Sequence, residues 1–389
     1  MIKDIIFKIR VFFSSSIRKY LKNKRYKANI AYFKSYFKHI IKENNIEEYV
    51  KDDSKLMNEW TEKWGVFGYK PLKCGWEAFH SHMKNDINFV PNEIARNFIE
   101  PILTPEEYQP FYNDKNSFGL FLPKEWMPKT LFRSMKGMLY NGEYEVVKPN
   151  DFLNLFKDLD KIVVKPAKEM GGKGVTLFRR DENGLFVDDK NNELTLEYLK
   201  QAYNSEYLIQ ECMNQSSFMS QFNPSSVNTL RIAVYRDVKS GNLSVIGAVI
   251  RIGGKGSFVD NACSGGSYIF IDENGKIGKY ACDTLGNKQT VYNDIDFEKN
   301  EFIIPEYDRI KQFVFNVAKR MPHMSLFAND IAIDENDNPK LIEVNTTMFS
   351  YWLYQFNGKP VFGEYTDDLI KYCLTENKKI KSQVILKYN

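Results

Sequence analysis

Three oxygen-bearing side chains, Asp330, Glu343 and Asn345, stand in a segment whose pattern brings them together. Residues 327–345, FANDIAIDENDNPKLIEVN, alternate apolar and polar positions on both sides of the polar turn Glu335–Asn338, which predicts a β-hairpin. With Asp334 paired to Pro339, Asp330 falls opposite Glu343, and like charges in direct cross-strand register destabilise a sheet. A divalent cation between them removes that penalty, and Asn345, two residues on, adds a neutral oxygen on the same face. A small set of hard oxygen donors without His or Cys suits a magnesium ion that keeps waters and bridges phosphates. The competing reading is a solvated polar face.

A second candidate lies at residues 160–180, DKIVVKPAKEMGGKGVTLFRR, which read strand, glycine loop, strand. Lys165 ends an apolar, β-branched run, so its stem belongs to a core and its tip needs an anion. Gly171, Gly172 and Gly174 flank Lys173 and let backbone amides approach a phosphate without Cβ interference. The loop is not a Walker loop, because Gly174 stands where Ser or Thr would follow the lysine. An ordinary hairpin turn with a surface lysine is the alternative, and a second GGKG at 253–256 reads as a turn. Arg231 lies in NTLRIAV on the face opposite Leu230, Ile232 and Val234, and Arg251 closes the apolar strand VIGAVIR. Each is either a surface ion pair or a planar fork for a phosphoryl or carboxylate group.

The elements that must carry these residues come from a chain of 389 residues, enough for two or three domains. No run of eighteen apolar residues occurs, so no membrane-spanning helix is expected. Five cysteines without CxxC spacing, and four histidines in no triad-like motif, argue against structural zinc and fit a reducing, cytoplasmic setting. The net charge of +4 hides an asymmetry: residues 1–42 hold twelve Lys or Arg against Asp4 alone, so the remainder is acidic. That front end carries one apolar stripe at Ile2, Ile5, Ile6, Ile9, Phe12, Phe13, Ile17 and Tyr20, and another at Tyr26, Ile30, Phe33, Phe37 and Ile41. Two readings stand: a helix on an anionic membrane surface at the inner face, or a helix packed on its own body or a partner protein. Nucleic acid is disfavoured, because no reader motif accompanies the basic stretch. Residues 50–112 read as helical without strands, with Pro91 opening the helix NEIARNFIE and Pro101 stopping it.

The ordered set NDKNSFG (113–119), VVKPAKEMGGKGV (163–175), LIQECMNQ (208–215), NPSSVNTLRIAVYRD (223–237), DNACSGG (260–266), IIPEYDRIKQFV (303–314) and NDIAIDENDNPKLIEVN (329–345) resembles the ATP-grasp superfamily. More closely, it is similar to the sugar-transfer-associated ATP-grasp family over roughly residues 110–375. The resemblance implies an α+β ATP-grasp fold, two α+β subdomains clasping ATP behind a helical N-terminal region. The expected division is a basic extension at 1–48, a helical region at 49–112, subdomain 1 at 113–207, subdomain 2 at 208–376 and a basic tail at 377–389. It further implies Lys115 and Lys165 on the α and β phosphates, residues 169–174 as a flap, and Gln210, Glu211 and Met213 in the strand that holds adenine. Asp330, Glu343 and Asn345 match the Mg2+ ligands, and Arg231, Arg251 and Asn261 the groups that hold an acyl phosphate. The implied cofactors are ATP and Mg2+, and the implied reaction joins a carboxylate to an amine. The family's name implies work beside glycosyltransferases, on a sugar precursor of a bacterial capsule or lipopolysaccharide. Two features depart from the superfamily. Asn214 and Gln215 follow the adenine strand where an acid for the ribose is common, and the usual α/β domain before the nucleotide site is not recognisable.

Overall fold

The computed structural model describes residues 2–46, 54–83, 86–169, 171–256 and 265–386, with side chains 1–19, 21–22, 54, 80–81, 83 and 379–386 left aside. Two antiparallel sheets form its frame. The first is built from β1 (Thr130–Met135), β2 (Met138–Asn141), β3 (Lys161–Pro166), β4 (Thr176–Arg180), β5 (Phe186–Val187) and β6 (Glu206–Glu211), in the order β2-β1-β6-β3-β4-β5. The second contains β7 (Thr229–Arg236), β8 (Leu243–Ile252), β9 (Ser267–Phe270), β10 (Ala281–Cys282) and β11 (Lys288–Gln289). A separate hairpin, β12 (Val291–Tyr292) with β13 (Ile295–Asp296), precedes β14 (Leu326–Ile333) and β15 (Pro339–Asn345), which close the second sheet in the order β11-β10-β9-β8-β7-β14-β15.

Alternation along the strands decides what each face meets. In the first sheet Phe132, Ile162, Val164 and Ile209 point into a core capped by Phe156 and Leu199, which leaves Val163 and Lys165 on the opposite face. In the second, Leu230, Ile232, Val234 and Ile331 pack under the helix Tyr307–Lys319. The other face divides between an apolar part, Ala233, Tyr235, Leu326 and Ala328, and a charged part described below.

That apolar part is covered by the N-terminal helices and by the chain after β15, in one continuous core. Helix α1 (Ile2–Glu43) lays Phe37 and Ile40 into it, with Tyr26, Phe33 and Ile41 packed alongside, and the Tyr36 hydroxyl donates to the Thr284 carbonyl at 2.8 Å. The second apolar stripe of the front end therefore docks on the protein's own body, leaving Lys24, Lys27, Lys34 and Lys38 outward. The first stripe lies outside the described side chains, apart from Tyr20, which is exposed. Helices α2 (Ser54–Gly65) and α3 (Lys73–Met83) supply Trp60, Trp64, Trp76 and Phe79, all fully buried or nearly so. No strand occurs among the described residues before β1, as expected.

Three sequence expectations need correction. Pro101 does not stop the helix that begins at Asn92: a π-helical turn at Ala95–Ile99 absorbs an extra residue, and the run continues through Glu100–Leu103 with Pro101 in its first turn, where a missing N–H costs nothing. β6, expected to open the second subdomain, is instead a central strand of the first sheet between β1 and β3, so the sheets part after Glu211. Finally, the segment after 376 is not a separate tail, because the helix Thr366–Leu386 runs through it.

Candidate functional site

The β14–β15 hairpin places the acids by a route the sequence did not reveal. Its turn closes one residue tighter than expected: Asp334 accepts the backbone N–H groups of Asn336 at 3.0 Å and Asn338 at 2.8 Å, and Pro339 pairs with Ile333 rather than with Asp334. Carried through, that register would set Asp330 against Ile342 and turn Glu343 to the opposite face. A β-bulge between Asp330 and Ile331 takes up the extra residue, so Asp330 pairs with Glu343 and Ala328 with Asn345. Ile342 and Glu343 then line the same cavity.

This cavity lies where the two sheets face each other. β3 contributes Val163 and Lys165, the end of β6 contributes Glu211 with Cys212 and Met213 beyond it, and β8, β14 and β15 bring Arg251, Asp330 and Glu343. Lys115, Gly172 and Lys173 complete it. Of the remaining residues expected at the site, Gly171 and Gly174 belong to the loop but not to the wall, and Asn261 lies outside the described residues. Gln210 turns its side chain away, donating to the Pro128 carbonyl and the Thr130 hydroxyl at 3.1 Å each. Asn345 is buried beside the cavity with its amide nitrogen unpartnered. Apolar lining from Val175, Val227 and Ile342 was not anticipated, because nothing but tertiary contact marks those positions.

Lys115 is set by a short turn in which the Asp114 side chain accepts the Asn116 N–H at 2.9 Å, while the Lys115 N–H donates to the Ala167 carbonyl beyond β3 at 3.0 Å. Its ammonium then reaches Glu343 Oε1 at 3.1 Å and the Glu169 carbonyl at 2.9 Å. The Lys165 ammonium has no hydrogen bond or ion pair with any described residue, although its backbone is part of the β3–β6 ladder. Burial, followed by the charge of Lys115, lowers its pKa to about 8 against a smaller opposing pull from Glu343. Gly171, Gly172 and Gly174 all adopt left-handed backbone, with φ of 70°, 73° and 74°, which explains why the loop is glycine-rich.

The two arginines do something other than await a ligand. Arg231 binds Asp330 through both forks, Nε to Oδ1 and Nη2 to Oδ2 at 2.7 Å each, and Arg251 Nη1 adds a third bond to Oδ2 at 2.8 Å. Burial alone would raise the Asp330 pKa; the charges of Arg231 and then Arg251 override it and hold it at about 2. Arg251 lines the cavity and Arg231 lies behind it.

The donor chemistry fits a metal–nucleotide pair. Three bonds leave the Asp330 carboxylate roughly one open lone-pair position, Glu343 keeps Oε2, and Asn345 stands on the same face. Among the described residues no three His, Cys, Asp or Glu side chains cluster as a metal site, so the set is two carboxylates with an amide. Lys165 supplies a cation without a counter-ion at the mouth of a backbone able to receive phosphate.

Residues 103–367 match the family described as sugar-transfer associated ATP-grasp. Similar solved structures include N5-carboxyaminoimidazole synthetase from Staphylococcus aureus, at 12% identity and a TM-score of 0.35 over 66% of this chain and 52% of that one. D-alanine–D-alanine ligase from Bacillus anthracis is similar at 14% identity and a TM-score of 0.38 over 69% of each chain. An L-amino acid ligase from Bacillus licheniformis shows 14% identity and a TM-score of 0.34 over 66% of this chain and 48% of that one. The chain thus spans about half the length of the first of these. A comparison with curated proteins returns no match.

Proposed function

The chain belongs to the sugar-transfer associated ATP-grasp family, and from that premise we propose that it is an ATP-dependent carboxylate–amine ligase acting on a sugar precursor of a bacterial surface polysaccharide. The observation that carries the reading is the cavity between the sheets, where Lys115, Lys165 and Arg251 converge with Asp330 and Glu343. Bound Mg-ATP would supply the phosphoryl group that activates the carboxylate. Asp330, Glu343 and Asn345 would hold the metal, and Lys115 and Lys165 the phosphates, with the glycine loop as cover. The backbone from Glu211, the last paired residue of β6, through Cys212 and Met213 beyond it would meet the base. Arg251 would orient the substrate carboxylate, while Arg231 fixes the plane of Asp330 from behind.

In this scheme a carboxylate oxygen attacks the γ-phosphorus and ADP leaves. The amine nitrogen then attacks the acyl carbon, phosphate departs with the C–O electron pair, and the nitrogen loses a proton. No Ser or Cys nucleophile is needed, and positioning with electrostatics provides the rate. A uronic acid joined to an amine, or an amino sugar joined to an acid, is the substrate class the family's description favours. A glycosyltransferase as functional neighbour, and an anionic membrane approached through the outward lysines of α1, complete the reading.

The test is phosphate release by the full chain across a panel of sugar acids and amines. Release that requires both an acid and an amine, and that falls about 100-fold or more in Glu343→Ala, is expected. A phosphorylated sugar with no free phosphate would replace the ligase with a kinase, and nucleotide binding without turnover on any pair would leave a binding protein.

A further inference from the structure

A second cleft adjoins the nucleotide cavity across the wall formed by Pro128 and Glu211–Met213, with a volume of about 490 Å³, ample for a small organic molecule. Its rim carries four cations and five carboxylates, Glu125 and Glu335 among them, and three of the four cations are paired. Lys124 pairs with Glu143, Lys129 with Glu211 at 2.6 Å, and Lys340 with Asp334 at 3.5 Å. Arg133, on β1, is the exception. It lines the cleft at only 3% exposure, no carboxylate among the described residues lies within ion-pair distance of it, and its Nε is buried with no hydrogen-bond partner.

What surrounds Arg133 holds it in place without neutralising it. The guanidinium lies over the Tyr144 ring at 4.5 Å from the centroid, and Nη1 makes a long 3.5 Å contact with the Lys115 carbonyl. A Cβ on Gly119 would sit 3.3 Å from Nη2, so the glycine leaves room for that orientation. A ring face and one long carbonyl contact are weak compensation for a desolvated cation, and burial accordingly pulls the Arg133 pKa below its ordinary value.

The register shows which way it faces. Arg133 and Lys165 are both cross-strand partners of Leu208, from opposite sides of β6. They therefore project from the same face of the first sheet, two strand spacings or about 10 Å apart. Lys165 has a ready ligand in a nucleotide phosphate. Arg133 stands across β6 from Lys165, level with it at Leu208, and lines the second cleft rather than the nucleotide cavity.

We propose that this cleft is a second anion site, in which Arg133 takes the carboxylate or phosphate group of a small molecule whose body rests on Met127, Pro128 and Met213. The site lies apart from the residues assigned to phosphoryl transfer, so its occupant is an effector rather than the activated acid. Its occupancy couples to the nucleotide pocket through the shared wall and through Lys115, whose carbonyl touches Arg133 and whose ammonium touches Glu343. The proposal is independent of the reaction performed in the first cavity.

The experiment is calorimetric titration of the full chain, saturated with Mg-ADP to fill the first cavity, with inorganic phosphate and separately with acetate, at constant ionic strength. One anion is expected to bind, identifying the group as phosphate or carboxylate. Arg133→Lys should retain part of that affinity, and Arg133→Met should lose about tenfold or more, both keeping Mg-ADP affinity within about twofold of the parent. Arg133→Met should also match or exceed the parent's melting temperature in chloride, with the advantage shrinking as the bound anion is added. Uptake of neither anion, or equal uptake by parent and Arg133→Met, overturns the proposal. Loss of Mg-ADP binding in Lys165→Met with anion binding intact would separate this site from the nucleotide pocket.

Discussion

Lys165 and Asp330 represent two opposite solutions to burying a charge. Asp330 is over-satisfied: three N–H bonds from two guanidiniums hold it ionised, and they fix the carboxylate plane before any metal arrives. Lys165 is under-satisfied, and its lowered pKa measures the shortfall. Since its unfolded-state pKa is the higher of the two, the unfolded chain binds more protons between pH 8 and 10.5, and stability of the nucleotide-free protein rises with pH across that window from this group. A bound phosphate favours the charged form and reverses the shift. ADP affinity is therefore expected to fall as pH rises above about 8, and the pH dependence should disappear in Lys165→Met, which should bind ADP about 10- to 100-fold more weakly. Titration at pH 7, 8 and 9 reads this directly, and an unchanged slope in the variant would contradict it.

At the scale of elements, two irregularities do the positioning. The bulge in β14–β15 lets a tight Asp-capped turn coexist with acids in register, and so one inserted residue separates two facing carboxylates from a misdirected glutamate. The π-helical turn at Ala95–Ile99 lies in a run that buries Glu93 completely. Glu93 Oε1 accepts the Leu72 N–H at 2.7 Å, while Oε2 has no partner, and burial raises the pKa to about 7 against the weaker effect of that bond. Here the folded state binds the proton more tightly, so the stability this group contributes is present below the unfolded pKa of 4.5 and is lost as pH rises through 7. Glu93→Gln is accordingly expected to raise the melting temperature at pH 8 and leave it nearly unchanged at pH 4.5. Equal effects at both pH values would show that ionisation of Glu93 is not what limits the helical region.

For the whole molecule, the described part of the front end is a docked helix. Removing residues 1–22 leaves the docked stripe from Tyr26 to Ile41 in place, and melting temperature and ADP binding are expected to persist. Removing residues 1–42 strips out Phe37 and Ile40, which are fully buried against Phe79 and its neighbours, and should cost about 3–5 kcal/mol for Phe37 alone. Denaturant unfolding of the two truncations distinguishes the cases. A longer truncation as stable as the parent would mean that the docked half of α1 is dispensable. Vesicle flotation belongs to the shorter truncation alone, because loss of flotation in the longer one could reflect unfolding.

Much of this protein was legible from residue types and spacing. Alternation in FANDIAIDENDNPKLIEVN implied a hairpin with acids on one face, and glycines around Lys173 implied a loop whose backbone amides can approach a phosphate closely. These features are local, set by strand periodicity and by sterics within a few residues of the chain. Only the folded chain decided that β6 joins the first sheet, that the docked stripe of α1 meets its own body, that Arg231 and Arg251 grip Asp330, and that Arg133 is left unpaired. Those outcomes depend on contacts between residues roughly 40 to 320 positions apart, where sequence pattern says which face is apolar but not which surface it will meet.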